Sequence, residues 1–142
     1  MKTLSSLYRQ CERKNITVLE FPLPENASMS LEADEKCYIG IDRKQLQNDA
    51  DERTRLAHEI GHCITGSFYS RYTAVDSRQR HENRADKWAV RRLISESDLD
   101  TAVAEGHTEL WDLADFFGVT EDFIKKAVCL YTHGNIAAEL YF

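Results

Sequence analysis

No stretch of this 142-residue chain is apolar for long enough to span a bilayer. Its first residues, MKTLSSLYRQCERK, lack the apolar core and small-residue cleavage site of a secretory leader. A cytoplasmic protein with no membrane partner is therefore expected. An excess of basic charge is missing too: 18 Lys and Arg stand against 24 Asp and Glu, a formal net charge of -6, and the carboxylates are scattered without forming a tail. Such a surface on average repels phosphate backbones, so nucleic acid is not the expected partner. Cysteine pairs at metal or redox spacing are absent as well. Cys11, Cys37, Cys63 and Cys129 form no C-x-x-C, which removes zinc ribbons and thioredoxin-like motifs, and in a reducing compartment all four are expected as free buried thiols. Repeats and low-complexity tracts are lacking. What is there is an ordinary apolar fraction in a chain of single-domain length, which predicts one domain over 1–142.

The pattern along the chain predicts an α+β fold. Leu4, Leu7, Tyr8 and Cys11 recur at helical spacing, giving an amphipathic helix over 4–14. ITVLEF, rich in β-branched and aromatic residues, reads as a strand, and PLPENA as the loop that takes both prolines. Short apolar runs around 29–31 and in CYIGID supply two more strands, for which a small antiparallel meander is the economical arrangement. A helix over 48–66 follows, with Asn48, Asp49 and Asp51 as capping candidates, Leu56, Ile60 and Ile64 as its apolar stripe and Gly66 as its stop. After a polar loop, SFYSRYTAVDSRQ, a second helix runs over about 78–94, with Ala85, Trp88, Ala89 and Leu93 at helical spacing. SESD from Ser95 resembles a capping box and opens a short helix ending near Gly106. Helices over 108–117 and 120–133, parted by Gly118, complete the chain. The apolar terminus NIAAELYF is expected to pack back on the core, with pairing to another chain as the alternative.

The informative stretch is RLAHEIGHCITG. Residues four apart on a helix differ by about 40° around its axis, so His58 and His62 point the same way and both imidazoles can reach one ion. Zinc suits neutral imidazole, and a catalytic zinc takes three protein ligands and leaves a position for water. Glu59, about 100° round the same turn, could reach that water as a base. A third histidine at the metzincin spacing is ruled out by Thr65 and Phe68. The better third ligand is Glu82 in HENRADKWAV, twenty residues after His62, with Asp86 one turn further on to accept the outer N–H of a ligating histidine. The inert reading, surface histidines and solvated carboxylates, loses ground once Glu82 is counted.

An H-E-x-x-H helix followed by E-x-x-x-D at this spacing resembles the gluzincins. RLAHEIGH, ENRADKWAVRRLI and LADFFGVTEDFIKKA together look more closely like the ImmA/IrrE family of short cytoplasmic metallo-endopeptidases, over roughly residues 31–131. The resemblance implies a minimal zincin-like fold with a core over 1–95 and a helical lobe over 96–142. It further implies Zn2+ held by His58, His62 and Glu82, Glu59 as catalytic base, and a protein substrate, in phage and mobile-element members a helix-turn-helix repressor. His81 departs from the thermolysin-like pattern, which has Asn before the ligand Glu.

Two matters stay open in the sequence. The oxyanion of peptide hydrolysis needs a donor besides the metal, and Tyr69, Tyr72 and His81 are candidates, with His107, Tyr131 and His133 if the fold brings them near. LADFFGVTEDFIKKAV also has helix-turn-helix spacing, so a non-catalytic regulator binding DNA or protein is the alternative. Its second helix, however, begins with Glu121 and Asp122, which would repel phosphate.

Overall fold

The computed structural model describes residues 2–70 and 72–142; Met1 and Arg71, the latter inside the expected polar loop, lie outside them. The elements run α1 (Leu4–Arg13), β1 (Thr17–Glu20), β2 (Ser28–Ala33), β3 (Lys36–Ile41), α2 (Asp49–Thr65), α3 (Val75–Leu93), α4 (Glu96–Ala104), α5 (Leu110–Phe117) and α6 (Glu121–His133), closed by a 3-10 turn at Ala138–Leu140. This is the expected α+β architecture. Among the described residues, no helix is long and apolar enough to cross a membrane.

Helix ends follow their capping chemistry. Thr3, Asn48, Ser95 and Thr120 each accept a backbone N–H in the first turn of α1, α2, α4 and α6, and Gly66, Gly118 and Gly134 close α2, α5 and α6 in the left-handed conformation. α3 starts three residues before the sequence expectation, at Val75, without a side-chain cap. Ala74 at the cap position offers no side-chain acceptor, and Asp76 in the first turn is the one acidic signal there, so periodicity alone could not find the start.

The sheet departs from the meander. Its order is β1-β3-β2, with β1 parallel to β3 and β2 antiparallel to it. The proline loop after β1 carries the chain past the central position to the far edge. It is tied down where Asp42 accepts from the Leu23 N–H (3.0 Å) and from Gln45 (2.8 Å). A two-residue turn at Asp34 and Glu35, both at positive φ, then returns β3 between its neighbours.

One cluster of buried side chains joins the parts, from Leu7 on α1 through Ile39 and Ile41 on β3, Leu56 and Ile60 on α2, and Val90 on α3 to Ile124 on α6 and Ile136. α2 and α3 approach closely at Gly61, where an added Cβ would lie 2.6 Å from the Ala85 carbonyl oxygen. Ile136 enters the core, whereas Leu140, Tyr141 and Phe142 stay largely exposed, Tyr141 stacked on His133. The thiol expectation is corrected for one pair: Cys37 at the start of β3 and Cys63 near the end of α2, with Cα atoms 5.8 Å apart, form a disulfide, while Cys11 and Cys129 are free and buried. Positions 26 residues apart gave no local sign of meeting; packing of α2 across the sheet brings them together.

Candidate metal centre

α2 turns His58 and His62 toward α3, and their rings meet edge-on with centroids 4.7 Å apart. His58 Nδ1 lies 2.7 Å from Oδ1 of Asp86, and His62 Nδ1 lies 2.5 Å from the Ser67 carbonyl oxygen. Both partners only accept, so each Nδ1 carries a proton and each Nε2 is left to offer a lone pair. The two Nε2 atoms stand 3.1 Å apart, and Glu82 places its oxygens 2.9 Å from that of His58 and 3.0 Å from that of His62. Three acceptors converging this way need positive charge among them. The donor atoms lie within 4.8 Å of one another, and two imidazoles with a carboxylate are a set that could hold a metal ion.

Without a metal, a proton meets that need. Burial pulls the His58 pKa down, but hydrogen bonds to Asp86 and Glu82 outweigh it and hold the group up at about 10. Burial likewise opposes ionisation of Glu82, and its bonds to His58 and His62 prevail, holding the carboxyl well below its usual range. Asp86 is held low in the same way, against burial, by His58 and Lys126. The Lys126 ammonium, from α6, donates to Asp86 Oδ2 at 3.0 Å. A chain of contacts thus runs from the helical lobe through Asp86 to His58.

Glu59 points to the same region and is 6% exposed. Its Oε2 accepts a 2.8 Å hydrogen bond from the Ser28 hydroxyl, at the start of β2. Both residues line a cleft of about 830 Å³ that also contains His58, His62, Glu82 and Asp86. Ser28, Met29 and Ser30 on edge strand β2 contribute to one side of it, and Thr120, Glu121 and Lys126 from the start of α6 also line it. The acidic beginning of the second helix of the helix-turn-helix-like pair is therefore part of the cleft.

The oxyanion candidates separate. Tyr69 lines the cleft beside Glu82, where burial and then the bond to Glu82 push its phenol up to about 12. His81 stacks on Tyr69 at 6.2 Å but is not among the cleft-lining residues, and Tyr72, 82% exposed, is not either. His107 pairs with Asp112 at 2.8 Å, the Tyr131 hydroxyl donates to the Ile94 carbonyl at 2.6 Å, and His133 stacks on Tyr141. Sequence reasoning missed Ser28, the Ser67 carbonyl and Lys126. An ordinary serine 31 residues before Glu59 and a lysine 40 residues after Asp86 carry no local signal.

The small α+β fold is zincin-like, and its paired histidines on one helix and carboxylate on the next could hold a metal ion. The chain belongs to the M78 peptidase family: the model of its IrrE N-terminal-like domain matches residues 11–128. That match begins twenty residues before the resemblance carried by the motifs and takes in the end of α1 and β1. Searches of curated proteins and of solved structures returned no match.

Proposed function

We propose that this protein is a zinc-dependent endopeptidase acting inside the cell on a small set of protein substrates. The observation that carries the reading is the convergence of His58, His62 and Glu82, as three acceptors, beside a buried carboxylate, Glu59, in an open cleft. His58, His62 and Glu82 would hold the ion, with Asp86 and the Ser67 carbonyl fixing the two ring orientations. Bound zinc supplies Lewis acidity, bringing water ionisation toward neutral pH and polarising a peptide carbonyl.

The chain's own residues do the rest. Glu59 takes a proton from the attacking water and passes it to the leaving amine, so one carboxylate serves both proton transfers. Ser28 holds one of its oxygens and leaves the other for water. β2 pairs on one side only, with β3, so its free edge suits an extended peptide laid along the cleft by main-chain hydrogen bonds. Tyr69, which lines the cleft beside Glu82, would donate to the carbonyl oxygen. A helix-turn-helix repressor is the substrate that the family resemblance suggests.

The test loads the protein with zinc, measures metal content by elemental analysis, and follows cleavage of unfolded casein and of a candidate repressor. Glu59→Gln is expected to keep zinc and lose cleavage, and His62→Ala to lose the metal. Equal cleavage by Glu59→Gln would overturn the mechanism; undiminished zinc in His62→Ala would overturn the ligand set.

A further inference from the structure

The helix that supplies Glu82 has a second charged face. On α3, Glu82, Asp86, Ala89 and Leu93 lie along one side, and Arg80, Arg84, Lys87 and Arg91 fall within about 60° of arc on the opposite side. Arg80, Arg84 and Arg91 are exposed and Lys87 is half-buried. Like charges three and four residues apart on a helix repel. The chain has 24 carboxylates, yet among the described residues none lies within ion-pair distance of these four cations or of Arg92. Arg92 is bonded instead to the neutral Gln10 and Ser6 of α1.

The stripe also borders a concavity. Arg84, Lys87, Arg91 and Arg92 line a groove of about 530 Å³ together with Gln10 and the half-buried indole of Trp88. A solvated charged face needs no groove and no aromatic floor. Cations without counter-charges around an indole form a site for an anionic segment that also brings apolar contact.

We propose that this groove docks a short carboxylate-rich segment of a partner protein, on the back of the helix that carries the metal-centre carboxylates. Length and field favour a peptide over a nucleic acid. From Arg80 to Arg91 the stripe is about 16 Å long, the span of about five extended residues. The chain as a whole carries a formal net charge of -6, so a long polyanion running on past the groove meets repulsion on average. The proposal does not depend on peptidase activity, since binding is measured without turnover.

The experiment titrates fluorescein-labelled oligoglutamate into the full chain, reading anisotropy at about 50 and about 200 mM NaCl. Trp88 emission is followed in a Trp111→Phe background, the chain's other tryptophan being 61% exposed. Saturable binding is expected, weaker at the higher salt, with a change in Trp88 emission. Combined Arg84→Glu, Lys87→Glu and Arg91→Glu should abolish it, and the milder pair Arg84→Gln and Arg91→Gln should weaken it by about tenfold. Circular dichroism checks the fold, and if the triple reversal misfolds the glutamine pair decides. Absence of saturable binding, binding unchanged in the glutamine pair, or binding without a Trp88 response would overturn the proposal. So would tighter binding of a labelled DNA duplex, which would make the face a nucleic-acid surface.

Discussion

Ser28→Ala removes one hydroxyl and tests how Glu59 is held. A hydrogen bond to a charged acceptor is worth about 1.5–3 kcal/mol when its loss leaves the acceptor buried. Ser28 is 7% exposed and Glu59 6%, so bulk solvent screens the contact little. The pair does line an open cleft, however, and a water can replace the hydroxyl at small entropic cost, which brings the expected loss to about 1–2 kcal/mol. For a domain of this length that is a fall of about 3–8 °C in melting temperature. The assay is a double-mutant cycle with Glu59→Ala, by thermal and urea denaturation of the metal-free protein. If the bond is as described, Ser28→Ala should cost little once Glu59 is gone, giving a coupling of about 1–2 kcal/mol. Additive effects, with coupling under about 0.3 kcal/mol, would refute the reasoning. In a peptidase the same variant should lower kcat and leave metal content unchanged.

Four further outcomes are expected. Asp86→Ala frees His58 Nδ1, and a chelator competition should show metal affinity down by about ten- to a hundredfold. The His58 pKa is raised to about 10, so the metal-free site keeps its proton through neutrality and releases it only as pH rises toward that value. Metal affinity should therefore climb about tenfold per pH unit between about pH 6 and about pH 9, and a flat profile would contradict the acceptor cluster. Gly61→Ala pushes a methyl against the Ala85 carbonyl, and denaturation should show about 1–3 kcal/mol lost as α2 and α3 part. Paired Cys37→Ser and Cys63→Ser should destabilise by about 3.5 kcal/mol, from the loop of 26 residues they close, with metal content intact because neither is among the clustered donors.

Local rules made much of the helical part readable. Asn48 and Gly66 bracket α2 because one side chain satisfies a free N–H and one residue accepts a positive φ, and both signals sit within the element they end. The strand order was not readable in this way. ITVLEF and CYIGID announce extended chain, but no residue in either says that β3 lies between β1 and β2, since that depends on how far the proline loop travels. The cysteines show the same limit from the other side. Absence of C-x-x-C excludes only local pairing, and Cys37 and Cys63 meet through tertiary packing.

The candidate site divides along the same line. His58, Glu59 and His62 share a turn of α2, and Glu82 and Asp86 share a turn of α3, so helical periodicity alone orients each set. Those are the groups that would hold an ion or move a proton. Ser28 and Lys126 act one bond further out, each from an element remote in sequence, and each satisfies a charge that the motif leaves partly bare: the second carboxylate oxygen of Asp86 and one oxygen of Glu59. A buried carboxylate without such a partner would shed its charge or destabilise its surroundings. The two motif helices therefore require a donor near Glu59 and a cation near Asp86, although nothing in either motif says which residues provide them. Where a motif buries charge, its unnamed partners can be counted before the structure is known, by the oxygens left without a proton.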